Sequence, residues 1–269
     1  MIGTRYSPAG RGPILLEIWR FREMLRSLVV RNLKVKYQRS ALGFVWTLLN
    51  PLLTVGILIA VFSFIVRIQI PNYWAFLVSG YFVWNFIQQM LAAGTHVISE
   101  HAPLRRSAAF PSEVLILGAT ASRLAEFAVE LSLALLLLVI FHHGGVPFSF
   151  VLLPLLVVLQ LLMAMGFVMP LAALAVFYYD IQHALPAALL TLFYVSPVFY
   201  PANMVPEAMQ SLYFLNPIAG LLTLYHAVLY EGVFPAPGQL AAVTVVSCLV
   251  FLGGYVVFNR YKTVFAEVV

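Results

Sequence analysis

Residues Val35–Leu53 read VKYQRSALGFVWTLLNPLL. Lys36 and Arg39 run with almost no spacer into an apolar segment, and the pair Asn50-Pro51 falls early inside it. Proline has no N–H to donate, so the Thr47 carbonyl loses its helical partner and a local bend is expected. The apolar run continues to Val66. That exceeds the roughly 20 helical residues needed to cross a hydrocarbon core about 30 Å thick.

The rest of the chain has the same character. Of its 269 residues, 62% are hydrophobic and 9% charged, where a soluble domain carries about 25% charged residues. Mean hydropathy is +0.96. Six apolar runs stand out: Leu42–Val66, Trp74–Val97, Val114–Phe141, Val151–Phe177, Ala184–Tyr200 and Leu240–Phe258. Each is continuous rather than alternating, which predicts helices and not barrel strands. The expected fold is an all-α integral membrane domain with six transmembrane helices. The polar first thirteen residues lead into no short apolar stretch with a cleavage site, so the first run is expected to stay as an anchor. Cys248 is alone, which removes a disulfide framework or thiolate metal site from consideration.

Charge sets the orientation, because cytoplasmic flanks hold excess Lys and Arg. Six crossings put both termini on one side, and every Lys and Arg except Arg67 falls on that side. Both termini are therefore expected in the cytoplasm. Arg67 is close enough to the interface to snorkel. Residues 1–40 carry nine of the fifteen cations against Glu17 and Glu23. Next to a chain this apolar, such a basic segment favours membrane lipid headgroups as its partner over nucleic acid.

Within that segment Ile14, Ile18, Phe21, Leu25 and Leu28 recur at helical spacing, while Arg22, Glu23 and Arg26 fall on other faces. Ile14–Arg39 is expected to form an amphipathic interface helix, with Arg22, Arg26 and Arg31 at the headgroups. The domain division that follows is residues 1–40 for the tail and interface helix and 41–269 for the six-helix domain.

The opposite side differs. The segment PANMVPEAMQSLYFLNPIAGLLTLYHAVLYEGVFPAPG, residues 201–238, is apolar and carries no Lys or Arg. A bare loop in lipid would leave backbone groups unsatisfied, so short re-entrant helices are expected before the last span.

Catalytic patterns are missing from the sequence. There is no GxxxxGK[ST] phosphate loop, no HExxH and no GxSxG. His142 and His143 are adjacent, which sends them to different helical faces. His96 and His101 lie at or near a loop, His183 and His226 are isolated, and a loop or interface position is expected for each. Arg123 can pair with Glu126 at i+3. With Glu130 they sit in the third run, whose first turns are read as protruding into the cytoplasm rather than forming a buried ion relay.

The opening stretch now has a precedent. RNLKVKYQRSALGFVWTLLNPLL resembles the start of the ABC-2 type permeases that export O-antigen, teichoic acid and related polysaccharides. RRSAAFPSEVLIL, FYYDIQHALP, SPVFYP and YFLNPIAGL follow in the family's order. The resemblance implies a six-helix subunit that forms a homodimer and pairs with two copies of a separate ATPase, which would hold the ATP and Mg. The permease itself would need no cofactor or metal and would have no catalytic residue.

The cargo implied is a polysaccharide on undecaprenyl diphosphate, crossing the bacterial cytoplasmic (inner) membrane. The loop from Ser99 to Glu113 maps to the family's ATPase-coupling helix, with Arg105, Arg106, Phe110, Pro111 and Glu113; Asp180 belongs to a second cytoplasmic motif. FPSE replaces the usual FPRE and FYYD the usual FYRD, so the charges of the ATPase contact differ here.

Sugar rings pack on aromatic faces, and Trp46, Phe62, Tyr81, Trp84, Phe193, Tyr194, Phe199 and Tyr200 are the candidates for a substrate path. Interfacial belts and core packing also place such residues. Two alternatives stay open: an ABC-2 exporter of a drug or small lipid, and a membrane enzyme on lipid-linked sugars using Glu126, Glu130 or Asp180.

Overall fold

The structure, a computed structural model, describes residues 21–38, 40, 42–100 and 112–262. Helix α1 spans Arg22–Tyr37. A 3-10 turn, Gly43–Val45, leads into α2, Trp46–Ala60, which ends in a π-turn, Val61–Ile65. Helix α3 is Tyr73–Glu100, and α4 is Glu113–Leu138 with a π-turn at Val139–His143. A 3-10 turn at Phe148–Leu152 opens α5, Leu153–Phe177, and α6 follows at Asp180–Val195. Helix α7 is Glu207–Tyr213, α8 is Pro217–Tyr225 with a π-turn at His226–Glu231, and α9 is Pro237–Tyr261. Among the described residues there is no strand.

Each of the six apolar runs is thus helical over most of its length. Four of the helices, with their flanking turns, are long and apolar enough to cross a bilayer by themselves: Gly43–Ile65, Glu113–His143, Phe148–Phe177 and Pro237–Tyr261. The chain is a multi-pass membrane protein. The other two runs depart from that standard for different reasons. Helix α6 has only 16 residues. Helix α3 has 28, but it carries Asn85, Gln88, Gln89, Thr95 and His96. It can do so because protein rather than lipid surrounds it. Every residue from Ala75 to Ile87 is buried, and α3 packs on α2, α4, α5, α6 and α8.

Helix α5 meets α9 along the most extensive contact of the bundle. Glycines permit it. A Cβ on Gly254 would fall onto the Gly166 carbonyl, and one on Gly166 would meet the Val250 carbonyl carbon at 2.6 Å. Without hydrophobic drive between helices in lipid, backbone approach through small residues supplies the packing.

Helix α2 runs through Pro51 without ending; Pro51 lies in its second turn and is buried. One expectation is refined: the apolar stripe of the N-terminal helix packs on protein. Its described part docks on α4, and Phe21, Leu25 and Leu28 turn their stripe toward the protein core. Ile14 and Ile18 lie outside the described residues.

Before the last span, where short re-entrant helices are expected, the structure has a sharply bent pair of helices. Helix α7 and the segment Pro217–Glu231 meet at 104°. Asn216 makes the corner: its side-chain oxygen accepts from the Ile218 N–H at 3.1 Å, and Pro217 occupies the first turn where its missing N–H costs nothing.

Candidate functional site

The segment after α6 shows how an irregular stretch persists beside apolar helices. Ser196, the residue before Pro197, is extended (φ −110°, ψ 150°), as the proline ring requires, and the helix stops. Freed backbone carbonyls then need donors. Tyr73 Oη donates to Phe199 O at 2.7 Å, Tyr200 Oη to Tyr194 O at 3.0 Å, and His226 Nε2 to Pro197 O at 2.8 Å. His226 Nδ1 lies 2.8 Å from Ser79 Oγ, and its ring stacks on Phe76 at 4.0 Å and 3°. Gly80 leaves the space: a Cβ there would stand 2.8 Å from the imidazole. The expected loop or interface place for His226 is wrong; it is buried at the junction of α3, α8 and the α6 exit.

His142 and His143 also depart from expectation. Their Nε2 atoms donate to consecutive carbonyls, Tyr230 O and Leu229 O, both at 2.8 Å. The rings stand 4.5 Å apart rather than on separate faces. They belong to a π-turn, whose wider spacing brings neighbours together. Among the described residues no group of three His, Cys, Asp or Glu side chains suits a metal ion.

With that end pinned, the aromatic residues form a connected set. Phe199 is the node: its ring lies 4.9 Å from Phe62, 5.4 Å from Phe193, 5.7 Å from Tyr194 and 4.9 Å from Tyr200. Phe193 extends the chain to Trp84 at 5.7 Å. Six of the eight aromatic candidates are thus brought together. Beyond them a cavity of about 540 Å³ opens between α2 and α6 over α3, lined by Thr54, Tyr81, Trp84, Gln88, Leu189 and Phe193 among others. Trp84 is itself 1% exposed, and its indole N–H donates to Gln88 Oε1 at 2.9 Å.

Trp46, the remaining aromatic candidate, lines a second cavity of about 370 Å³ with Tyr81, Asn50, Asn85 and Glu130. Thr54, Tyr81 and Gln88 face both cavities. The polar liners of α3 were missed in the sequence. Their signal was present: Tyr81, Asn85, Gln88, Ala92 and Thr95 recur at three and four residues and mark one face. His96 lines the larger cavity from this helix rather than from a loop.

Charged groups cluster at the basic end. Arg123 Nη1 donates to Glu126 Oε2 at 2.6 Å, the i+3 pair read from the sequence, and to Gln89 Oε1 at 2.7 Å. Lys36 Nζ lies 2.8 Å from Glu126 Oε1. Burial pushes the Lys36 ammonium below its ordinary range; the Arg123 charge adds to this and Glu126 opposes it. Glu130 accepts from Asn85 Nδ2. Helix α1 covers α4 from Gly118 to Glu126, and Glu126 and Glu130 are buried near the middle of α4.

Among the coupling candidates, Glu113 is buried in an ion pair with Lys262 at 2.6 Å, joining the start of α4 to the end of α9. Asp180 is exposed in the first turn of α6, where a carboxylate suits the helix dipole. Arg105, Arg106, Phe110 and Pro111 lie outside the described residues. Arg22 and Arg26 are exposed on α1, with Arg22 Nε 3.8 Å from Glu23, and Arg31 is exposed one face on.

Known proteins share these features of sequence. The profile described as "ABC-2 type transporter" matches residues 23–230. The O-antigen export system permease protein RfbA of Myxococcus xanthus is 33% identical over 257 residues, covering 94% of this chain and 98% of that protein. An O-antigen export system permease protein RfbA of Klebsiella pneumoniae is 26% identical over 248 residues, 91% of this chain and 95% of its own length. The polysialic acid transport protein KpsM of Escherichia coli is 21% identical over 219 residues, 77% of this chain and 81% of its own. On the family match across most of its length, the chain belongs to the ABC-2 type transporter family.

Proposed function

We propose that this chain is the transmembrane subunit of an exporter of lipid-linked polysaccharide, with O-antigen as the leading cargo, in the bacterial cytoplasmic membrane. The observation that carries the reading is the run of rings centred on Phe199, leading into a cavity left open between α2 and α6. The relatives named as O-antigen export permeases support the cargo class.

A polymer that moves needs many weak contacts rather than one tight site. Aromatic faces supply them: each sugar ring packs its apolar face on a π-surface while its hydroxyls stay solvated. The single chain provides one wall of such a path, and a second copy, in a homodimer, provides the other. Two copies of a separate ATPase subunit, holding ATP and Mg, drive the cycle from the cytoplasm through the loop containing Arg105, Arg106, Phe110 and Pro111 and through Asp180.

The basic end faces the cytoplasm, with both termini there, following the distribution of Lys and Arg. The N-terminal basic segment, residues 1–40, meets anionic lipid there and attracts the diphosphate of an undecaprenyl-linked glycan.

Deleting the gene for this chain is expected to remove the surface polysaccharide while precursor accumulates inside the cell. A deletion strain with an intact surface polymer rejects the reading.

A further inference from the structure

The smaller cavity lies off the ring path. At about 370 Å³ it is within the ordinary size of small-molecule sites, and residues of α1, α2, α3 and α4 line it. Its wall sets two aromatic rings, Trp46 and Tyr81, against the amides of Asn50, Asn85 and Gln88 and the carboxylate of Glu130.

Asn85 Nδ2 stands 3.1 and 3.2 Å from the two Glu130 oxygens. That contact orients the amide and leaves its oxygen available. The carboxylate, with about four lone-pair positions, has capacity for further donors. Sugar hydroxyls match such a wall because each one donates to a carboxylate or amide oxygen and accepts from an amide N–H. The C–H face of the same ring suits an aromatic platform.

Charge decides between a polyol and an anion. The charged liners are Lys36 and Glu130, whose charges cancel. Lys36 and its neighbour Arg123 both point their cations at Glu126. A diphosphate or uronate entering here would meet the Glu130 carboxylate with no surplus of positive charge to offset it.

We propose that this cavity binds a neutral hexose unit of the exported glycan, at a station separated from the ring path by Tyr81, Thr54 and Gln88. The inference rests on the proposed export function and names the part of the cargo that this site reads. The sugar is held here by directional hydrogen bonds, whereas the ring path lets it slide.

The test uses the full chain in lipid nanodiscs and follows tryptophan fluorescence, with Trp46 at the cavity as reporter. Methyl hexopyranosides are titrated alongside methyl glucuronide and sodium pyrophosphate. The expected result is a saturable response to at least one neutral hexoside, absent in Trp46→Phe and unchanged in Cys248→Ser on α9. Glu130→Gln is expected to weaken binding about tenfold, the scale of one charge-assisted hydrogen bond. Should that variant fail to fold, Asn50→Ala, on an exposed side chain at the cavity, carries the same prediction.

Saturation by pyrophosphate or glucuronide alone overturns the proposal in favour of an anion site. So does the absence of any saturable response, or a response that Asn50→Ala leaves intact. The two readings fail separately. A chain that restores surface polymer to the deletion strain yet gives no hexoside response overturns only the cavity, whereas surface polymer in the deletion strain itself overturns the export function.

Discussion

Lys36 Nζ lies 2.8 and 3.0 Å from the two carboxylate oxygens of Glu126 and closes a register between two parallel helices. Leu28 packs over Gly118, where a Cβ would come 3.2 Å from the leucine; Asn32 Nδ2 donates to Ser122 Oγ at 3.3 Å; Lys36 then meets Glu126. On each helix the three positions are spaced by four, so a single stripe of α1 is matched to a single stripe of α4. Motion of the basic N-terminal helix is thereby tied to the helix that carries Glu130 into the smaller cavity.

The ion pair is asymmetric. Replacing Lys36 with Met leaves Glu126 on Arg123, whereas replacing Glu126 with Met brings two like charges together, with Arg123 keeping Gln89. Glu126→Met is therefore expected to cost more, about 1 kcal/mol, because both cations are partly exposed. Lys36→Met should fall below that, because the lysine is 38% exposed. Apparent unfolding midpoints of the two variants in detergent give the ranking. An equal or reversed order removes the shared role of Glu126.

Adjacent glycines on α9 give a sharper contrast. A Cβ on Gly254 runs into the Gly166 carbonyl, while one on Gly253 meets nothing within 4 Å. Gly254→Ala is expected to lose about 1–3 kcal/mol or to force α5 and α9 apart. Gly253→Ala should be neutral or slightly stabilising, since alanine is the better helix former. Thermal stability of the two variants, measured side by side, checks the crossing.

The helical runs were legible because continuous hydropathy needs no partner to be recognised. Arg123–Glu126 was legible for the same reason, as an i+3 pair is local. The docking stripe of α1 was not, because Asn32 and Lys36 interrupt the apolar pattern and their partners lie 90 residues away. The spacing of Asn85 and Gln88 marks one face in the sequence, but the sequence does not show that α3 is wrapped by protein on nearly every side, so that face could not be placed at a cavity. His226 depended on two distant residues, Ser79 and Pro197, and only the folded chain brings them together.

His226 is the pin between α3, α8 and the α6 exit. His226→Phe keeps a ring to stack on Phe76 but removes the donor to Pro197 O; Ser79 Oγ loses the imidazole and keeps its bond to Phe76 O at 2.7 Å. A loss of about 1–3 kcal/mol for the stranded Pro197 carbonyl is expected. The consequence should appear at the α6 exit first. A cysteine placed at Val198, which is buried, is expected to label faster with a membrane-impermeant thiol reagent in His226→Phe than in the parent. Equal labelling rates would mean that the Ser196–Tyr200 stretch is held without the imidazole.

Phe199 permits a test of the ring path that spares its scaffold. Tyr73 Oη holds the Phe199 backbone carbonyl at 2.7 Å, a contact independent of the phenyl ring. Phe199→Leu therefore keeps the loop and most of the apolar bulk while removing the π-face shared by Phe62, Phe193, Tyr194 and Tyr200. Each ring pair contributes about 0.5–1.5 kcal/mol beyond its buried area, so some loss of stability accompanies the change. Phe199→Tyr retains the face and is expected to export near the parent level. Phe199→Leu should export several-fold less polymer, read as surface polysaccharide at matched protein abundance. Phe148→Leu controls for ring loss at the same end of the bundle, since Phe148 is 81% exposed and pairs with Phe234 away from Phe199. If Phe199→Leu and Phe148→Leu export equally, the aromatic faces pack the bundle and do not carry the glycan.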